Sequence, residues 1–211
     1  MPLRIAIAGP PDLPRVRRIR KELCGSAPFW RADVVHAFTT IAELPPLLLH
    51  ARLCRVRAIV WTPTERPGPP GLAWHGVGRL LVPSQHLARA WSAFVPLGRI
   101  AVVEPGVDDD GLPADTFYAG ASDADDPESI VAAAARGSVV VSTIAHAVLP
   151  PGAILSPSGD RAIGDPIRPD AALARLSRGW AERGHSARDE FAALMAVYAE
   201  VASMARRRRV D

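Results

Sequence analysis

Between Arg99 and Asp110 the chain reads RIAVVEPGVDDD. An apolar run, Ile100 to Val103, stops at Glu104-Pro105-Gly106 and opens into Asp108, Asp109 and Asp110. Such a cluster is either punctuation between two halves of a chain or the floor of a cleft. Six histidines are the other candidates for chemistry. His36 ends an apolar run and reads as a hydrogen-bonded core or rim residue rather than as a base. His86 falls early in a helical pattern, and His50, His75 and His185 have no partner at a useful spacing. No HxxxH, HxH or Cys–His cluster points to a metal, and Cys24 and Cys54 fit neither a metal site nor a disulfide framework. No G-x-S-x-G and no phosphate-binding loop points to a hydrolase or a nucleoside triphosphatase.

The positive charge is almost all arginine, in two clusters: Arg15, Arg17, Arg18, Arg20 and Lys21, then Arg206 to Arg209. The plain reading is a solvated helix face and a basic tail. The sharper reading is attraction to phosphates, of a ligand or of an anionic membrane surface. No basic–aromatic interleaving accompanies the arginines, so nucleic acid is not expected as a partner.

The elements that would position these groups alternate. Expected strands are Leu3–Ala8, Val34–His36, Ala58–Trp61, Leu80–Val82, Ile100–Val103, Thr116–Tyr118, Val139–Ser142 and Ala153–Leu155. Most are continuously apolar, as strands are when helices cover both sheet faces. Helical patterns cover Pro14–Leu23, Ile41–Arg55, Ser84–Phe94, Pro127–Arg136, Pro169–Arg183 and Ala187–Arg207. In the last, Phe191, Leu194, Tyr198 and Val201 make one apolar stripe. Strand–helix alternation predicts an α/β fold: a Rossmann-like, mostly parallel sheet with a helical C-terminus. Ligands in such folds sit at the carboxyl ends of the strands. Here those loops are Gly9-Pro10-Pro11, Ala37 to Thr40, Thr62 to Arg66, Pro83 to His86 and Glu104 to Asp110. Ser84 is also an N-cap for the helix after it, a role favoured over ligand contact.

Of 211 residues, 48% are hydrophobic and 22% charged, the balance of a globular protein. No apolar run reaches the roughly eighteen residues of a membrane span. The N-terminus reads as a strand that starts at once and lacks the order of a secretion signal, so the expected compartment is the cytoplasm.

Several loops together resemble a retaining glycosyltransferase of the GT-B fold, in the glycosyl transferases group 1 superfamily. Asp33-Val34-Val35-His36 resembles the family's third-strand signature, and Ala58 to Pro63 the strand leading to its acceptor-side loop. Leu80-Leu81-Val82-Pro83-Ser84 is similar to its "vi-x-S" element. Arg99 to Asp108 is similar to its "ri-x-vi-x-nGvD" hinge between domains. Ala132 to Val141 resembles "EAmAcG-x-PVV", and Thr143 to Asp160 resembles "GG-x-x-E…G-llv-x-p-gD". Phe191 to Val201 resembles the terminal helix that crosses back to the first domain.

The resemblance implies a Rossmann-like first domain over residues 1–107. A reduced second one would span 108–211, with C-terminal helices packing back on the first. It implies a nucleotide-sugar donor, with Asp108 and His146 as catalytic candidates. Gly9, Arg66, Ser84, Gly106 and Glu128 are the donor-binding candidates. Arg79 and Arg99 are further candidates for gripping the diphosphate. No metal and no other cofactor is expected. The chain also departs from the family. The segment that would hold the donor-gripping Arg and Lys is very short, and the two family glutamates fall on Ala124 and Ala132. The acceptor loop has Thr64 in place of histidine, and Gly9-Pro10-Pro11 replaces a Gly-Gly loop. Two readings stay open: a reduced transferase, and a non-catalytic relative that acts as a binding or assembly partner. A protein partner and peripheral membrane contact are compatible with both.

Overall fold

The computed structural model describes residues 2–56, 58–106, 118–120, 130–131, 134–135, 140–142, 154–155 and 171–207. The chain divides into two compact units, Met1–Val103 with Phe191–Asp211, and Glu104–Glu190. The described helices are α1 (Pro14–Glu22), α2 (Leu44–Leu53), α3 (Gln85–Trp91), α4 (Ala171–Gly184) and α5 (Ala187–Arg207).

The first unit holds β1 (Ile5–Ala8), β2 (Val34–Thr39), β3 (Ala58–Pro63), β4 (Arg79–Val82) and β5 (Ile100–Val102). They form one all-parallel sheet in the order β1-β2-β3-β4-β5. The α/β class expected from the sequence is the class observed. β1 to β4 read as largely apolar runs because they are buried on both faces, whereas β5, at the edge, is half-buried. On one face Ile5, Ile7, Val34, Phe38, Val60, Leu81 and Val103 pack with Val16 and Ile19 of α1 and with Leu194, Tyr198, Val201 and Ala202 of α5. On the other, Ala37, Trp61, Leu80 and Val82 pack with Leu44 of α2 and with Ala88 and Trp91 of α3. Trp61 and Trp91 meet edge to face, with ring centroids 5.5 Å apart, a favoured aromatic geometry.

The crossover from β1 to β2 changes faces by wrapping the sheet edge. After α1 the chain turns through Cys24 (φ 53°) and Gly25 (φ 114°). It then runs beside β1: Ala27 N–H donates to the Ile5 carbonyl at 2.9 Å, and Ile7 N–H donates to Ser26 Oγ at 2.8 Å. This gives the edge strand partners within its own chain. Phe29 then packs with Ala6, Val35 and Val56, on the face opposite α1. α2 begins at Leu44, three residues later than its apolar pattern, because residues 40–43 are taken by the turn described below.

In the second unit β6 (Tyr118–Gly120), β7 (Val140–Ser142) and β8 (Ile154–Leu155) form a parallel sheet in that order. Val131 and Ala134, in helical residues, make a small core with Ala181 of α4. The rest of the expected helix Pro127–Arg136 lies outside the described residues.

Gly78 shows how closely α5 is set on the first sheet. Its N–H donates to the Ile59 carbonyl at 2.7 Å. A Cβ on it would collide with Val201 Cγ1. Gly78→Ala is therefore expected to destabilise the protein by about 1–3 kcal/mol through overpacking. Urea unfolding checks this, and an unchanged midpoint would contradict the packing.

Candidate functional site: the strand ends of the first unit

The carboxyl ends of β1 to β4 carry Gly9, Arg66 and Ser84 among the residues singled out from the sequence, and most of the polar groups in these loops are engaged by their own neighbours. Gly9 follows β1, and a Cβ there would lie 2.7 Å from Phe38 Cβ, so the loop crosses β2 at backbone distance. The loop leads to Pro14, which opens α1 at the position where its missing N–H costs least. Arg15, next in α1, is buried and donates from Nη2 to the Val103 carbonyl at 2.9 Å. That bond fastens the start of α1 to the end of β5.

After β2, Thr40 and Glu43 bond reciprocally. Glu43 N–H donates to Thr40 Oγ1 at 3.3 Å, and Thr40 N–H donates to Glu43 Oε2 at 3.0 Å. This is the pairing of a capping box. Those bonds hold the Glu43 carboxyl below its ordinary pKa, the Thr40 backbone donor first among the causes. The neighbouring Ile41 N–H donates to Glu65, from the loop after β3. Thr64 N–H and Trp61 Nε1–H both donate to the Thr39 carbonyl, at 3.2 and 3.1 Å. Thr39 Oγ1 is buried and makes no hydrogen bond. After β4, the buried Ser84 Oγ accepts from Leu87 N–H at 3.2 Å and caps α3.

Beneath these loops lies His36, wholly buried between hydroxyls on two other elements. Its Nδ1 is 2.6 Å from the Tyr198 hydroxyl and its Nε2 is 2.8 Å from Thr62 Oγ1. The Phe38 ring lies against it, centroids 4.2 Å apart. Burial, and secondarily the Arg15 charge, push its pKa well below the ordinary histidine value. The ring is therefore neutral, with one nitrogen donating and the other accepting. Closed off from solvent, it ties β2 to β3 and to α5 and is not exposed to a substrate.

In the second unit, Glu104 to Gly106 meet the segment that opens α5. Gly106 N–H donates to the buried Glu190 Oε2 at 3.0 Å. A Cβ on Gly106 would lie 2.6 Å from Ala187 Cα. His185 stacks on Trp180, centroids 4.3 Å apart, and its Nδ1 stands 3.7 Å from Glu104 Oε2. Burial lowers the His185 pKa and outweighs the opposing pull of Glu104.

Gly9, Arg66 and Ser84 thus stand at the carboxyl ends of strands in one sheet, and Gly106 belongs to the second unit. Arg66 is exposed in the loop after β3. Arg79 and Arg99 lie at the opposite end of the sheet, where β4 and β5 begin. Arg79 bonds Glu200 and the Gly98 carbonyl. Arg99 bonds the Val77 carbonyl and covers the Trp74 ring at 4.7 Å. A diphosphate at the strand ends is out of their reach. Asp108, Glu128 and His146 lie outside the described residues. Among the described residues, no group of three or more His, Cys, Asp or Glu side chains is arranged to hold a metal.

The sequence reading missed the His36–Tyr198 bond, which joins residues 162 positions apart and leaves no local trace. It also missed the Thr40–Glu43 pair, which did have a signal: a Thr followed three residues later by Glu, ahead of an apolar run. Compared with protein-family models, curated proteins and solved structures, the chain matches none.

The lowered histidines set a direction for pH. The unfolded chain takes up protons at about pH 6.5 that the folded chain disfavours at His36 and His185, so stability is complete above that pH and falls below it. Denaturant titrations from about pH 7.5 to pH 5 should show stability falling on acidification, with the wholly buried His36 contributing more than His185. His36→Gln should shallow that slope. Tyr198→Phe should cost about 1–3 kcal/mol by leaving a buried ring nitrogen unpartnered. A stability that stays flat over this range, or that rises on acidification, would contradict this account.

Proposed function

We propose that this chain is a glycosyltransferase-like protein. On this reading it keeps the scaffold of enzymes that move sugars from nucleotide donors and works as a non-catalytic binding or assembly partner. The resemblance to that family rests on short motifs that keep their order from Asp33 to Val201. The non-catalytic half of the reading rests on what the motifs have lost: both glutamates, the acceptor-loop histidine and the donor-gripping segment.

The single observation that favours loss of catalysis is Glu65 on the Ile41 amide. Backbone N–H groups that open a helical turn are where a ligand phosphate or carboxylate gains most. Here an internal carboxylate occupies one of them, and Glu43 stands beside it. Two carboxylates at that turn repel an incoming diphosphate. Ser84 and Arg15 are likewise spent on Leu87 N–H and on the Val103 carbonyl.

A competing reading is a reduced but active transferase, with Asp108 and His146 at the reacting sugar and Gly9, Arg66, Ser84, Gly106 and Glu128 around the donor. Ligand binding separates the two. A donor at a hundredfold excess over its Kd raises stability by about 2.7 kcal/mol. The expected result is an unchanged melting temperature with UDP, GDP or their sugars at about millimolar concentration, where even weak binding registers. Asp108→Asn and His146→Ala should behave as the parent chain does. Nucleotide-sugar turnover that disappears in those two variants would overturn the proposal in favour of the enzyme.

A further inference from the structure

The outer side of α2 presents an apolar surface that no described residue covers. Leu44 and Ala51 point inward from α2 and are fully buried. Leu49 and Leu53 are four residues apart, on the side of the helix turned away from Ala51. They are 62% and 75% exposed. Pro45 and Pro46, in the first turn, are exposed as well. On one side of α2, Phe29 of the 3-10 turn Phe29–Arg31 stacks near His50, ring centroids 5.0 Å apart. The next residue, Trp30, is 71% exposed. A hydrophobic helix crown beside an exposed tryptophan is not a way to dissolve in water.

Around Trp30 and the C-terminal half of α2 the exposed charges are positive, and the exposed acid Glu43 stands before the helix, at its other end. Arg31, Arg52 and Arg55 are all exposed, and none is paired with a carboxylate among the described residues. α2 itself contains no acidic residue. Asp33, the acid nearest in sequence to Trp30, is held by Arg4 at 3.2 Å. Apolar side chains with a tryptophan at their border and arginines at the flanks match the boundary of an anionic bilayer. There the leucines reach the acyl region, the indole sits at headgroup level and the guanidinium groups meet lipid phosphates. Among the described residues no helix is long and apolar enough to cross a membrane, so contact through this surface would be peripheral.

We propose that the outer face of α2, with Trp30 and the flanking Arg31, Arg52 and Arg55, is a docking surface for an anionic lipid bilayer. The proposal is independent of whether the strand ends bind a nucleotide sugar. Its test is co-sedimentation of the full chain with vesicles of phosphatidylcholine alone and of phosphatidylcholine with a third phosphatidylglycerol. The full chain should partition onto the anionic vesicles, weakly or not at all onto the neutral ones, and less as salt rises. Leu49→Ser with Leu53→Ser should weaken binding by roughly tenfold or more. Arg52→Gln with Arg55→Gln should weaken it and flatten its salt dependence. All four side chains are exposed, so thermal melting should confirm that both variants stay folded.

Failure of the folded parent chain to bind anionic vesicles at low salt would overturn the proposal. So would binding that survives the leucine changes but is lost when Arg206 to Arg209 are changed to glutamine, since the C-terminal tail would then be the lipid contact. A concentration-dependent dimer abolished by Leu49→Ser with Leu53→Ser, without vesicle binding, would assign the surface to a second copy of the chain instead.

Discussion

A parallel sheet must be covered on both faces, and the three helices within the first 103 residues cannot do this alone. α2 and α3 take one face, which leaves α1 as the only such helix on the other. The apolar side chains of Ile5, Ile7, Val34, Val60 and Leu81 would otherwise face water. α5, from the far end of the chain, closes that face with Leu194, Tyr198, Val201 and Ala202. Burial of apolar area draws it there, at roughly 25 cal/mol per Å². Much else in the first unit follows from this arrangement: Gly78 must have no side chain, and His36 is sealed from solvent.

Apolar contact alone does not set one rotation of a helix on a sheet, because leucine and valine accept many. The Thr62–His36–Tyr198 chain of hydrogen bonds does. Each member would be costly to bury without its partners, so positions of α5 that separate them are penalised. This explains a buried histidine without assigning it chemistry. Its depressed pKa is a consequence of being sealed and is not evidence of a catalytic role.

The strand ends present a related economy. Sheets of this class leave backbone amides and capping groups at one end, where ligands are commonly found. In this chain Thr40 and Glu43 satisfy each other, Ser84 caps its own helix, and Glu65 and Arg15 bond groups on neighbouring segments. An end satisfied internally is stable, but it has less left to offer an anion. Thr39 Oγ1 is the buried exception at that end, while the exposed arginines around α2 keep their charge available to a partner.

The sequence by itself determined the elements and the class. Apolar runs marked all five strands of the first sheet within a few residues, since burial against helices writes itself into short runs of consecutive apolar positions. Helical patterns marked all five described helices as well, α2 from three residues ahead of its start. Even Ser84 was legible as a cap, because capping is local. Only the tertiary structure decided the sheet order, the wrapping of residues 24–29 around the edge of β1, the partners of His36, and the end of the sheet at which Arg79 and Arg99 fall. The physical reason is range. Periodicity and capping act within one or two turns of chain, whereas Tyr198 meets His36 and Arg15 meets Val103 across 162 and 88 residues. Nothing near either partner in sequence announces the other.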